Sequence, residues 1–587
     1  MLASHDRSSI YDVLRPPAGH SFDALVVCTY SAALDTVLSL PGAIVTDLLG
    51  TRKDGKQKFG PSDLAALKRI CDRTMVFCQA GGIHAASMLP PAIIEVEPMV
   101  YEIAAPNGGV FHPKLWVMRF IDERKRPTLR VAVLSRNLTG DRSWDIGLVA
   151  EGRPGTVSTE CDVSVLLRKL PELGRRALAA PHLVLLEDLA DQAGRVTWRM
   201  PRGLGKPRFQ ALGIRPDDQW KQPKSERLLL LSPFLAATAL RDLTKDSKDA
   251  MAIISRPDAI DRCWSVVSKK FRRIMVLDPP AEAESSSTAL HGKALIWERG
   301  ARVFAAVGSM NATKSATAGP NVEFMVSFDC TAAVGKGGID HLLSHESLGA
   351  VAQDYAPADP SAVPPEPFDD RRAKKLLADA DLKLCCERET DGWRVSLVPG
   401  RPLGPDVRKH LPGLRFRLAT MASTRGSPPC GDQLARGESV ALPWMVELKQ
   451  ITGFVTFEAG SADCPIAFCL NIPVEGIDAE ERSAAVVRDL LPDRAGFDGF
   501  VRGMLGDLAG SGGDSGGDDG DGAGVGWSSG PRPGLLELLV RTAADDPETL
   551  SSLRRTLDAL ESGRLEAIAP EGFMRLWSQL LDAMAPQ

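Results

Sequence analysis

No run of apolar residues in this 587-residue chain approaches the roughly 18–20 that a membrane-spanning helix needs. The first residues, MLASHDRSSIYDVLRPP, carry charges where a secretory signal would carry its apolar stretch. A cytoplasmic location with no membrane partner is the expectation. The 11 cysteines include no C-x-x-C pair, and Cys28 (LVVCTY) and Cys78 (MVFCQA) lie inside apolar runs. That usage fits reduced core thiols better than a disulfide framework or a zinc site. Adjacent Cys385 and Cys386, and neighbouring Cys464 and Cys469, are read the same way. No metal and no other cofactor is expected.

What is present fits a soluble globular protein: 44% hydrophobic and 25% charged residues. Such a length calls for two to four domains. The net charge of −5 conceals an asymmetry: residues 1–350 hold 45 Lys+Arg against 38 Asp+Glu, the remainder 25 against 37. A mildly positive first region is where a polyanion would dock.

The pattern along the chain predicts an α/β architecture with an internal repeat. In residues 1–198, FDALVVCTYSAALDTVLSL reads as a strand entering a helix. RTMVFCQAGGI and IIEVEPMVYEIAA read as further strands, and FHPKLWVMRF with TLRVAVLSRN as two consecutive ones. Residues 199–350 begin with a basic, Pro-rich stretch (199–226) and then repeat the order. ERLLLLSPFLAATALRDL is a strand and helix, DAMAIISRP and RRIMVLDPP are strands, and HGKALIWERG with ARVFAAVGSMN is a strand pair. Residues 351–478 open on a Pro-rich linker and predict a β-rich domain. Residues 479–508 read as helical, 509–533 as a flexible Gly/Asp-rich linker without the closing Glu of a calcium loop, and 534–587 as amphipathic helices.

Two short patterns recur with matched chemistry. The first is His112-Pro113-Lys114, then Ser135-Arg136-Asn137, then Asp145. The second is His291-Gly292-Lys293, then Ser309-Met310-Asn311, then Glu323. From histidine to carboxylate the separations are 33 and 32 residues. If the motifs lie on strands, His112 and Lys114 project to one face, as do His291 and Lys293. Each half supplies one imidazole, one ammonium and one amide. Two halves packed about a pseudo-twofold axis would place two imidazoles across a pocket lined by two ammoniums. Such a pocket suits phosphodiester cleavage: one histidine attacks phosphorus, the other protonates the leaving oxygen. The lysines and asparagines would bind the non-bridging oxygens, Asp145 and Glu323 would orient the imidazoles, and Ser135 and Ser309 would support them.

These residues resemble the phospholipase D superfamily. HGKALIWERGARVFAAVGSMNATKSATAGPNVEF is similar to its second-half signature, and FHPKLWVM…VAVLSRNLTGDRSWDIGLV to a diverged first half. The resemblance covers roughly residues 20–335. It implies two α/β/α halves, His112 as nucleophile, His291 as general acid and a phosphohistidine intermediate. Arg119 and Glu298 stand where lipid-processing members carry Asp, and Leu134 where a Gly usually precedes the serine. The pattern is more similar to the His-Lys-Asn variant of tyrosyl-DNA phosphodiesterases and some nucleases. Bacterial members with C-terminal extensions imply a DNA nuclease acting against foreign DNA, with a helicase or other defence-system protein as partner. The rival readings are cleavage of a phospholipid or protein–DNA adduct, and a nucleic-acid-binding scaffold without turnover.

Against these stand plainer roles. The lysines read as solvated strand-edge residues, Trp116, Trp144 and Trp297 as core, and the clusters at 123–130 and 268–273 as solvated faces.

Overall fold

The computed structural model describes residues 10–45, 59–85, 88–141, 143–157, 161–277, 290–359, 369–461, 464–506, 534–558, 560, 562–570 and 572–584. The linker predicted at 509–533 lies outside the described residues, as do residues 360–368 of the Pro-rich stretch. The fold is mixed α/β, with several sheets and many helices. Among the described residues no helix is long and apolar enough to cross a membrane.

Two sheets carry the repeated motifs. The first holds β1 (His20–Thr29), β2 (Thr74–Gln79), β3 (Val100–Ile103), β4 (Leu115–Asp122), β5 (Pro127–Leu134) and β6 (Gly147–Gly152). Their spatial order is β3-β2-β1-β4-β5-β6. The second holds β7 (Arg208–Leu212), β8 (Ser225–Leu231), β9 (Ser247–Ile254), β10 (Phe271–Leu277), β11 (Ala294–Arg299), β12 (Arg302–Gly308), β13 (Glu323–Asp329) and β14 (Ala352–Asp354). Its order is β14-β10-β9-β8-β11-β12-β13-β7. Apart from the edge strands β14 and β7, order and direction repeat. In each sheet a central strand has parallel neighbours on one side and three successive antiparallel strands on the other.

Burial explains the continuous apolar runs of β1 and β8, which are covered on both faces. One core joins Val26, Val117 and Val131 of the first sheet to Leu229, Ile296, Val307 and Phe324 of the second. On the far faces, Leu25 and Val27 pack with Leu34, Val37, Leu67 and Ile70 of two helices, and Leu228 and Leu230 with Leu240, Leu243 and Val267.

Two local readings need correction. Residues Pro91–Met99 form a 3-10 helix and only Val100–Ile103 a strand. Pro98 has no N–H to give a ladder, which ends strand pairing there. The His-x-Lys triplets precede their strands rather than lie on them: β4 starts at Leu115 and β11 at Ala294.

The β-rich region is not closed on itself. One of its sheets, with strands Arg415–Leu418, Phe454–Gly460 and Pro465–Asn471, continues into the two-residue strands Ile83–His84 and Ala32–Ala33. A buried cluster fastens this junction. Arg482 bonds both oxygens of Glu97 at 3.0 and 2.9 Å, and Thr452 Oγ1 and the Gly453 N–H donate to Glu97 at 2.7 and 2.8 Å. The C-terminal helices pack against Leu64 and Ala65 of helix Pro61–Cys71 through Phe497, Phe500, Leu553 and Phe573. Removing one member of a buried ion pair leaves the other without compensation. Arg482→Ala should therefore cost about 3–5 kcal/mol of stability, read as a lower urea midpoint.

Candidate active site

Each histidine enters its site on backbone hydrogen bonds to a segment that leads into a strand of the other sheet. Phe111 bridges Val322 and Leu290 bridges Trp144, both in parallel sense. The His112 N–H donates to Val322 O at 2.9 Å, and the N–H groups of His291 and Gly292 to Trp144 O at 2.9 and 2.8 Å. Gly292 is required here, because a Cβ at that position would stand 2.8 Å from the Trp144 ring.

The side chains cross in the same way. His112 Nδ1 meets Glu323 Oε2 at 2.7 Å, and His291 Nδ1 meets Asp145 Oδ1 at 2.9 Å. Each carboxylate is held by the serine of its own half. Ser135 Oγ donates to Asp145 Oδ1 at 2.8 Å and accepts from the Ile146 N–H at 2.8 Å. Ser309 Oγ likewise donates to Glu323 Oε2 and accepts from the Phe324 N–H at 2.9 Å. Since the backbone N–H fills the serine acceptor role, the hydroxyl hydrogen points to the carboxylate. Asn321 Nδ2 adds a third donor to Glu323 at 3.3 Å. Each imidazole therefore turns Nδ1 to a carboxyl group and Nε2 away from it.

Lys114 and Lys293 are wholly buried, not solvated edge residues. Lys114 Nζ lies 2.9 Å from His112 Nε2 and 3.3 Å from His112 O. Lys293 Nζ donates to His291 O at 2.6 Å and to Ser135 O at 3.4 Å. Asn137 and Asn311 lie two residues beyond these serines, and each has a buried Oδ1 without a partner. The eight residues from the two histidines, lysines, serines and carboxylates therefore form two networks. Among the described residues no hydrogen bond ties either asparagine into them.

The networks feel each other's charge. Burial, then Lys114, Lys293 and His291, push His112 well below its ordinary value. Burial also lowers His291, but its hydrogen bond to Asp145 opposes the fall. Burial and Lys293 push Lys114 well down, and burial brings Lys293 to about 8. Burial raises Glu323 to about 8, against the pull of Lys114, Ser309 and Asn321.

Sequence reasoning did not single out Tyr30, whose ring centroid lies 5.4 Å from that of His112. Tyr30 follows β1, far from either motif in sequence, and no periodicity marks it. Arg136, 3.8 Å from Asp145, was visible only as the middle of a Ser-x-Asn triplet. The absent glycine before Ser135 has a structural answer. Leu134 pairs with Gly147 where Gly308 pairs with Met325, so the small residue has changed strands. Trp116 and Trp297 are core residues. Among the described residues, no group of three or more His, Cys, Asp or Glu is placed to hold a metal ion.

No protein-family model and no curated protein matches the chain. Among solved structures it is similar to a yeast tyrosyl-DNA phosphodiesterase at 10% identity and a TM-score of 0.34, over 56% of this chain and 86% of that one. It is similar to phosphatidylserine synthase of Haemophilus influenzae Rd KW20 at 11% identity and a TM-score of 0.29, over 63% and 89%. At such TM-scores these overlays carry no weight for the chemistry.

The depressed Lys293 ammonium makes a linkage prediction. Its folded value of about 8 lies below the ordinary lysine value of 10.5, so the unfolded chain keeps this proton longer. The Lys293 contribution then destabilises the fold below about pH 8 and is relieved as pH rises toward 10.5. Urea denaturation across that window should show wild-type stability rising relative to Lys293→Met.

Proposed function

We propose that this protein is a phosphodiesterase acting on nucleic acid, a DNA nuclease in the first instance, that works through a phosphohistidine. The observation that carries the reading is the exchange of carboxylates, which holds two imidazoles by Nδ1, with buried Lys114 on His112 Nε2 and buried Lys293 on the His291 carbonyl. On this reading the two sheets are copies of one unit about a pseudo-twofold axis.

The unequal environments support the division of labour. His112 is kept neutral by burial and by its cationic neighbours, as a nucleophile must be. His291 has Asp145 working to retain its proton, as a general acid must. In the proposed reaction His112 Nε2 donates its electron pair to phosphorus while His291 Nε2–H gives its proton to the leaving oxygen. The P–O bond breaks and an N–P bond forms. His291, now neutral, takes a proton from water, whose oxygen displaces His112 and releases the phosphate product. Lys114 and Lys293 offset charge on the equatorial oxygens, and Asn137 and Asn311 would turn an amide N–H to the same oxygens. Loss of one such donor typically costs about 3–4 kcal/mol of barrier.

The departure of Arg119 and Glu298 from the lipid-type pattern favours a nucleic-acid substrate. Both side chains serve structural ion pairs: Arg119 with Asp23 and Asp188, Glu298 with Arg227. A role against foreign DNA beside a helicase belongs to the same proposal.

Labelled single- and double-stranded DNA, RNA and phosphatidylcholine, each with excess EDTA, test it. DNA cleavage should persist and fall about 10²–10⁴-fold or more in His112→Ala and His291→Ala. Choline release alone, or cleavage unaffected by both substitutions, overturns the reading. A second prediction concerns pH. Since the Asp145 bond raises the His291 value, Asp145→Asn should move the alkaline limb of kcat/KM to lower pH. An unchanged limb would remove His291 from the role of acid.

A further inference from the structure

The basic stretch 199–226 takes no part in the site above. Its side chains border a groove of about 1500 Å³ on the outer face of the second sheet, beside β7, β13, β12 and β11. Strand alternation creates this wall. Val326, Ala305 and Ile296 turn into the core shared with the first sheet, and Ser327, Phe304 and Trp297, each next in sequence to one of them, turn outward to the groove.

The register gives its length. Leu212, at one end, pairs with Glu323, and Arg208 pairs with Ser327 toward the other. The groove therefore follows β13 from the level of Glu323 to Asp329, about 20 Å at about 3.3 Å per residue. Spread over that length, the volume corresponds to a cross-section of about 75 Å². Such a cross-section matches one extended strand rather than a duplex, whose major groove alone is about 12 Å wide.

Charge points the same way. Lys206, Arg208, Lys221 and Arg299 line the groove and are exposed, and among the described residues none forms an ion pair. Arg215 is occupied by Asp162 and Asp218 at 2.9 and 3.2 Å, and Arg302 by Asp329. That leaves Asp217 as the acidic lining residue without an ion pair among the described residues. Phe304 stacks on Trp297 at 5.8 Å and carries the guanidiniums of Arg299 and Arg302 at 5.7 and 5.1 Å. A guanidinium backed by a ring presents a flat cation to phosphates and bases alike.

We infer that this groove binds a single nucleic-acid strand by its phosphates, leading along β13 toward the end of the strand where Glu323 stands. The inference rests on the nucleic-acid reading above, but its test does not need turnover. A fluorescein-labelled 30-nucleotide oligothymidylate is titrated into full-length protein carrying His291→Ala, with and without Lys206→Glu, Arg208→Glu and Lys221→Glu. The triple substitution should weaken binding at least about tenfold and make the slope of log affinity against log salt shallower by about 2. A control with the same charge change at exposed Lys245, Lys336 and Lys409 should keep its affinity. Equal losses in both variants, an unchanged slope, or no binding by the parent protein overturns the groove. So does competition by polyglutamate as strong as that by unlabelled oligonucleotide, which would make the partner an acidic protein. Strand binding through the groove without hydrolysis of any nucleic acid would sink the hydrolytic reading and leave the groove standing.

Discussion

The architecture of the site depends on an exchange: each imidazole is oriented by a carboxylate from the other half of the repeat. His112 reaches Glu323 and His291 reaches Asp145, and the backbone bridges at Phe111–Val322 and Trp144–Leu290 run alongside. Burying two ammonium groups near each other is costly, and carbonyl acceptors at His112, His291 and Ser135 offset part of that cost. The serines complete the arrangement by joining each carboxylate to the N–H of the residue that follows it.

Much of the two-sheet body was legible in the sequence because its signals are local. ALVVC and LLLL are continuous apolar runs, as strands covered on both faces must be. The spacing of Ser-x-Asn behind each His-x-Lys follows from one hairpin. The crossing was not legible. Separations of 33 and 32 residues suggest that each carboxylate serves its own histidine, and only the packing of the halves reveals the trade. The triplets also lie outside the ladders that their alternation suggested. Their backbone groups are spent on bonds between the halves, and Pro113 has no N–H to offer a strand partner.

The sequence of the C-terminal region predicts a β-rich domain and helices, and nothing in it predicts the junction with the first sheet. A two-residue strand such as Ile83–His84 carries no periodicity, so the sheet it extends is invisible in sequence. Its consequence reaches the site. Glu102 accepts from the N–H groups of Gly81 and Asn471 at 2.9 and 3.0 Å, tying the β-rich region to the loop after β2. Gln79, on that same stretch, accepts from the Phe111 N–H at 2.6 Å, next to His112. The β-rich region thus buttresses the first sheet next to His112.

The two histidines sit in unequal surroundings. His112 pairs with a carboxylate that is 0% exposed, has Tyr30 against its ring and Lys114 on its Nε2. His291 pairs with a carboxylate that is 14% exposed and has Arg136 beside it. Equal strand order therefore does not give equal electrostatics: the two pairs differ in burial and in the charges beside them. Burial lowers both histidines, and the Asp145 hydrogen bond opposes the fall only at His291, so strands in the same order carry imidazoles with different proton affinities.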